Sequence, residues 1–277
     1  MTKPTAQVMP TGSANEPIVV RTDADGVSML TLNRPQARNA LTEAMLHALS
    51  NTFAAIAGDS SVRAVVLAAN GPAFCAGHDL KELTARRSDP DGGEAFFERV
   101  WDHCGALMQA IVRLPQPVIA AVQGPATAAG CELVASCDLA VASSLATFCT
   151  PGVNIGLFCS TPAVLISRNV ARKHAMEMLL TGDMIGAEDA RRFGLINWVV
   201  EPHALHTQAM TIAHKIASKS AMTMGIGKKA FYQQLDLELT DAYRHAARVM
   251  VDNMFRHDAN EGIRAFLEKR PARWEDR

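Results

Sequence analysis

Apolar and polar positions fall into a regular pattern from residue 18 onward. Two short aliphatic runs, 18–21 and Val27–Leu32, flank an Asp-rich stretch at 23–26 that ends on Gly26, a pattern that predicts a β-hairpin. Leu41, Met45, Leu46, Leu49, Phe53 and Ile56 then recur at helical spacing, which predicts a helix with one buried face, capped by Thr42 and running to Ala57. Three stretches, 62–68, Val118–Val122 and 138–142, are apolar without alternation, as in strands covered on both faces. A polar loop over 84–93 and a helix over Glu94–Arg113 separate the first two, and a shorter helical segment lies between 124 and 138. This repetition of strand, loop and helix predicts an α/β core with parallel pairings. From about Thr161 the pattern turns helical, over 161–171, 173–181, 187–193, 204–219, 221–234, 237–255 and 260–268. The chain therefore divides into a flexible N-terminal arm over 1–16, an α/β core over 17–202 and a helical C-terminal subdomain over 203–277, with Pro202 at the boundary.

Composition narrows the function classes. With 277 residues, 48% of them hydrophobic, and a net charge of −1, the chain can bury a sizeable core and lacks the basic excess of a nucleic-acid binder. A few placed Lys and Arg side chains could still hold the phosphates of a small polyanion. The six cysteines form no CxxC pair, and the arm has neither a secretory pattern nor the Arg-rich amphipathic character of a transit peptide. Reduced, buried thiols in a cytoplasmic protein are the expectation. No apolar run reaches the roughly 18 residues of a membrane span. The nine histidines, His78 and His103 among them, show no paired ligand spacing, so no metal site is expected.

Two segments place small residues directly after a buried strand, where a ligand can approach the backbone. They are Ala73-Phe74-Cys75-Ala76-Gly77-His78-Asp79-Leu80-Lys81 and Gly124-Pro125-Ala126-Thr127-Ala128-Ala129-Gly130-Cys131-Glu132-Leu133. Taken singly, each reads as a tight turn with a glycine serving geometry. Taken together, with a helix starting at the second segment, they offer two backbone N–H groups to a developing negative charge. Gly225-Ile226-Gly227-Lys228-Lys229 lacks both a preceding strand and the full phosphate-loop spacing, and reads as a helix interruption. A GxSxG elbow is absent.

In this order and at this separation the two segments resemble the crotonase superfamily, the enoyl-CoA hydratase/isomerase family. So do Leu32-Asn33-Arg34-Pro35 with Asn39-Ala40-Leu41, Cys137-Asp138, Leu180-Thr181-Gly182, Ala187-Glu188-Asp189-Ala190 with Gly194-Leu195, and Glu261 through Arg270. The resemblance spans residues 18–272. It implies a crotonase (ClpP/crotonase-like) fold of repeated β-β-α units, a helical trimerisation region giving a homotrimer or dimer of trimers, and a reaction on an acyl-CoA thioester through its enolate. Coenzyme A is then part of the substrate, with no separate cofactor. By position the resemblance puts the oxyanion donors on the N–H groups of Ala76 and Ala129 and the catalytic carboxylate on Glu132. Arg34, Ala73, Phe74, Gly77, Asp79, Leu80, Lys81, Gly130, Phe266 and Lys269 become the contacts to substrate and coenzyme A. The helix N-terminus is expected to keep Glu132 ionised as a base.

One departure stands out. Hydratases carry a second Glu in the segment that here reads Cys149-Thr150-Pro151-Gly152-Val153-Asn154, and its place falls on Gly152. Phe158-Cys159-Ser160-Thr161-Pro162 likewise replaces a glycine-rich turn. The chain thus resembles the enoyl-CoA hydratase domain-containing type that lacks the second carboxylate. Hydration by Glu132, isomerisation or other enolate chemistry (hydrolysis, decarboxylation), and acyl-CoA binding without turnover remain open, with Asn154, Thr150, Ser160, His103 and Glu98 as candidates to replace the lost group.

Overall fold

The computed structural model describes residues 16–277, so all but Glu16 of the expected arm lies outside the described residues. β1 (Val19–Ala24) and β2 (Val27–Leu32) pair antiparallel across Asp25 and Gly26, both at positive φ (50° and 77°), the two-residue turn whose twist suits a hairpin. Thr42 caps α1 (Glu43–Ala57), its hydroxyl accepting the Met45 N–H at 3.2 Å, and the helix buries Met45, Leu46, Leu49, Phe53 and Ile56. After β3 (Ala64–Ala69), part of the expected loop is α2 (Leu80–Ala85) with a 3-10 turn behind it, because Asp79 caps that helix by accepting the N–H groups of Lys81 and Glu82. α3 (Glu94–Arg113) and β4 (Val118–Val122) follow, then β5 (Ala126–Thr127), α4 (Ala129–Ser136), β6 (Leu139–Ser143) and β7 (Thr147–Cys149).

Among the helices expected beyond Thr161, α5 (Ser160–Asn169), α6 (Arg172–Thr181) and α7 (Ala187–Phe193) form, with β8 (Ile185–Gly186) and β9 (Trp198–Val200) interleaved. Two- and three-residue strands carry too little periodicity to be seen in the sequence. The chain ends in α8 (Leu205–Ala217), α9 (Ala221–Gln234), α10 (Leu239–Met254) and α11 (His257–Leu267). The expected interruption at 225–229 does not occur. α9 runs through it, held by Lys228, whose ammonium donates to Asp138 (2.6 Å) and to the carbonyls of Ile111 and Gln116.

A six-stranded sheet in the order β1-β2-β3-β4-β6-β9 is parallel from β2 onward, and β5, β7 and β8 make a smaller sheet beside it. This is the crotonase fold, repeated β-β-α units followed by a C-terminal helical bundle. The pleat sorts β3 between two cores. Val65, Leu67 and Ala69 join α1, α3 and α4, while Ala64, Val66 and Ala68 meet Leu205, Ala209, Ala213 and Ala217 of α8. An alanine at every fourth position lets α8 lie close on the sheet. With one face sealed by α8, β3 and β4 deliver the loops that follow them, 70–79 and 123–128, to the same place.

Candidate active site

Close packing of backbone on backbone explains the small residues of the two segments. A Cβ on Gly130 would collide with the carbonyl of Cys75, and one on Gly77 would stand 2.9 Å from the Thr127 carbonyl and 3.3 Å from the Ala129 nitrogen. Backbone bonds lock the pair together: Thr127 N–H to Cys75 O at 2.9 Å, Phe74 N–H to Pro125 O at 3.0 Å, and the Thr127 hydroxyl to Ala76 O at 2.9 Å. From below, Asn39 fixes the first loop. It is fully buried at φ 53°, donates to the carbonyls of Asn70 and Ala73, and accepts the Arg34 N–H. Ala128 precedes α4 at φ 51°, ψ −120°, a conformation that costs a non-glycine residue ~1–3 kcal/mol and is found where a site demands it.

The two expected donors differ in their bonding. Ala129 stands first in α4, and its N–H has no acceptor among the described residues. The Ala76 N–H, in contrast, donates to the Arg38 carbonyl at 3.0 Å and is committed. In that loop Gly77 turns its N–H to the Cys75 sulfur and Asp79 donates to Leu41 O, which leaves the His78 N–H as the one between them without an acceptor among the described residues. Which amide is free depends on where the 33–41 loop places its carbonyls, and the residue types around Gly77 do not reveal that.

Glu132 lies one turn into α4, 3% exposed, with Oε2 lacking a hydrogen-bond partner among the described residues. Burial pushes its carboxyl up to about 7. The expectation that the helix N-terminus would hold it ionised is therefore corrected, because loss of solvation outweighs the helix dipole. Burial, and behind it the charge of Glu132, raises the thiol of Cys104. Burial raises Cys159 as well, against a bond from the Gly152 N–H, with Glu132 adding to the rise. All six cysteines are buried.

Gly152 sits in a 3-10 turn over Pro151–Ile155, where a Cβ would stand 2.5 Å from the Leu157 carbonyl and 2.9 Å from the Cys159 sulfur. No longer side chain fits there as the loop stands. The candidates to replace the missing carboxylate do not come together: Thr150 is spent on the Met178 carbonyl, His103 bonds Ser50, and Asn154, Ser160 and Glu98 are exposed. The motifs do not single out His78, whose N–H is the free one of its loop among the described residues. Its ring lies edge-on to Trp101 of α3, centroids 4.5 Å apart, with both nitrogens shielded from solvent, and burial lowers its pKa against a contact with the Leu41 backbone. A histidine set among small residues after Gly77 was the available signal.

The other expected contacts divide. Ala73, Phe74, Gly77 and Gly130 are buried at the junction of the two loops. Asp79 caps α2, Lys81 and Leu80 are exposed at its start, and the Arg34 guanidinium bonds Thr42 at the start of α1. Phe266, 82% exposed, and Lys269 belong to the end of α11, which packs on α10 and on the tail through Glu261, Arg270 and Trp274, not on these loops. Among the described residues no three His, Cys, Asp or Glu side chains are grouped to hold a metal, and no helix is long and apolar enough to cross a membrane.

Paired loops at the start of a buried helix, on a sheet of repeated β-β-α units, define an enzyme class that stabilises thioester enolates in an oxyanion hole. The chain belongs to the enoyl-CoA hydratase/isomerase family, whose model matches residues 22–277, and its general chemistry is that of acyl-CoA thioesters. It is 46% identical to enoyl-CoA hydratase domain-containing protein 3, mitochondrial, of Mus musculus over 96% of this chain and 87% of that one. Among solved structures, an enoyl-CoA hydratase of Mycobacterium smegmatis shares 52% identity with a TM-score of 0.89, covering 94% of this chain and 99% of its own. Human enoyl coenzyme A hydratase domain-containing protein 3 shares 44%, also at 0.89, covering 93% and 100%. The expectation of a cytoplasmic protein is overturned here, since five vertebrate relatives at 45–46% identity are all named as mitochondrial. Reduced thiols argue against an oxidising compartment but do not choose among reducing ones.

Proposed function

We propose that this chain adds water to a 2-enoyl-CoA thioester, with the His78 and Ala129 N–H groups holding the thioester oxygen and Glu132 moving the proton. The observation that carries the reading is a buried carboxylate with an unpartnered oxygen, one helical turn from an amide without an acceptor. Negative charge that develops on the thioester oxygen meets two fixed dipoles, a stabilisation in which one donor is worth ~10²–10³ in rate. A carboxyl held near neutrality suits both halves of the task, taking a proton from water and giving one to the α-carbon. Lys81 and Arg34, with Phe266 and Lys269 of a neighbouring copy, are proposed to hold the coenzyme A portion. Trimer formation, the role proposed for the 203–277 segment, is supported by the exposed apolar side chains of α10, among them Leu239, Tyr243, Met250 and Met254.

A second reading, double-bond isomerisation or another enolate reaction, is favoured by Gly152, since it needs the hole and one carboxylate and no second. The test is an assay of the purified protein on short and medium 2-enoyl-CoA esters, wild type against Glu132→Gln. The reading expects hydration that falls ~10²–10⁴-fold in the variant while the ester still binds. Turnover that is independent of Glu132, or shift of the double bond without water addition, would remove it.

A further inference from the structure

α11 buries its carboxylates and exposes its larger apolar side chains. Asp258, Glu261 and Ala265 are buried, while Ile263, Phe266 and Leu267 are exposed. Buried carboxylates are costly unless donors meet their oxygens, and here the returning chain supplies the donors. Glu261 accepts the Arg270 guanidinium through both oxygens at 2.7 and 2.9 Å, Arg264 at 2.9 Å and the Arg273 N–H at 2.9 Å. Asp258 accepts the N–H groups of Glu275 and Asp276 at 2.9 and 3.0 Å. The tail is in turn tied to the core. The Trp274 indole donates to the Ser218 carbonyl, and Asp276 accepts Arg63 and the Ala221 N–H. Two carboxylates one turn apart therefore orient α11 through the tail, and leave its apolar side chains facing outward.

The end of the helix is held by the same clamp. The Arg270 N–H reaches back to the Ala265 carbonyl at 3.0 Å, and the chain reverses through Lys269 at φ 55°. A left-handed residue after a helix is ordinarily glycine, and a lysine there carries strain that glycine would not. Glu261 opposes that strain by its two-pronged bond to Arg270, the very next residue. Phe266 and Lys269, three residues apart and both exposed, stand on the clamped corner.

We infer that Glu261, supported by Asp258, is a positioning residue for coenzyme A recognition, holding the α11 corner through Arg270 so that Phe266 and Lys269 are set to meet the coenzyme A portion. The inference rests on the role proposed above for Phe266 and Lys269 and adds what fixes them. Glu261 touches no substrate. The Arg270 guanidinium, and after it the Arg273 N–H, hold the Glu261 carboxyl well below the usual carboxylate range, so the clamp stays charged near neutral pH. An outward ammonium suits the phosphates of coenzyme A and an outward aromatic ring suits its adenine. A corner fixed before the ligand arrives does not have to be ordered by binding. Loss of the clamp should therefore weaken binding and spare the proton transfer at Glu132.

The test uses the full chain and measures Kd for free coenzyme A by calorimetry, KM and kcat with a 2-enoyl-CoA, and Tm. Glu261→Gln keeps the shape of the side chain without its charge. Arg270→Lys keeps the charge without the two-pronged bond, and serves if Glu261→Gln does not fold. Either variant should raise Kd and KM, by ~10-fold for Glu261→Gln and less for Arg270→Lys, with kcat within about twofold of wild type. Lys269→Gly should weaken coenzyme A binding while Tm rises by ~2 °C, a combination that loss of folding does not produce. A lower Tm with unchanged Kd in both clamp variants would overturn the inference, and so would a fall in kcat without a change in KM. If Lys269→Gly and Phe266→Ala still weaken binding in that case, the proposed role of the pair stands without it. Unchanged Kd in Lys269→Gly and Phe266→Ala would remove that role together with the inference.

Discussion

The loop from Asn70 to Lys81 and the segment from Thr147 to Ser160 both border the start of α4, and they are built in opposite ways. The first is pinned at nearly every residue by Asn39, by Gln123 and by backbone bonds from Thr127 and to Arg38, and it presents main chain to the site. The second turns through a 3-10 helix, closes over Gly152 with the Leu157 carbonyl and the Cys159 sulfur, and then exposes Ile155, Leu157 and Phe158. The first segment thus offers main chain whose position is set by packing. The second offers no side chain at Gly152 and ends in exposed apolar groups.

Substitutions can break that contrast. The largest effect is expected for Gly130→Ala, because its Cβ meets the Cys75 carbonyl and neither backbone can yield without pulling the two loops apart. Loss of the hole should cost at least ~10²-fold in turnover, together with a clear drop in Tm. Full activity and unchanged melting would show that the first wall is not rigid. Next is Glu132→Gln, read by thermal unfolding against pH. Burial raises the carboxyl from 4.5 to about 7, so the folded protein binds a proton more tightly than the unfolded chain, and wild type loses stability as pH rises between those values. The variant should gain on wild type across that window, by up to ~3 kcal/mol, and hold a constant lead above it. A Tm difference that is flat with pH would contradict the burial of an ionisable Glu132. The smallest effect is expected where the second carboxylate is put back. Gly152→Glu must displace the Leu157 carbonyl and the Cys159 sulfur, so it should lose ~1–3 kcal/mol of stability and gain no hydration. Faster hydration with unchanged melting would show that the second wall is adaptable.

Long, periodic elements were legible in the sequence. The hairpin, α1 with its Thr42 cap, and α3 at Glu94–Arg113 follow from spacing alone, because one face of each is buried against a continuous core. β7, β8 and β9 were not, since two or three residues define no period and their pairing is decided by the sheets they join. Lys228 reads as part of a glycine-rich interruption, yet its buried bond to Asp138 is a tertiary contact that holds α9 continuous. At the site, the two small-residue segments and Glu132 were visible as motifs. Which amide remains free was not, because the Arg38 carbonyl reaches Ala76 across a loop. The ionisation of Glu132 was misjudged for a similar reason, as the helix start is local and visible while the burial is assembled from α3, α4 and the 149–159 wall.

In the proposed reaction Glu132 moves a proton at the α-carbon of a thioester held by two backbone amides. The most direct measurement is the rate at which deuterium from D₂O enters the α-position of a saturated acyl-CoA, followed by NMR for wild type and Glu132→Gln, with ester binding measured in parallel. Steady exchange is expected for wild type, with a loss of ~10²-fold or more in the variant at comparable binding. Exchange at equal rates in both proteins would contradict it.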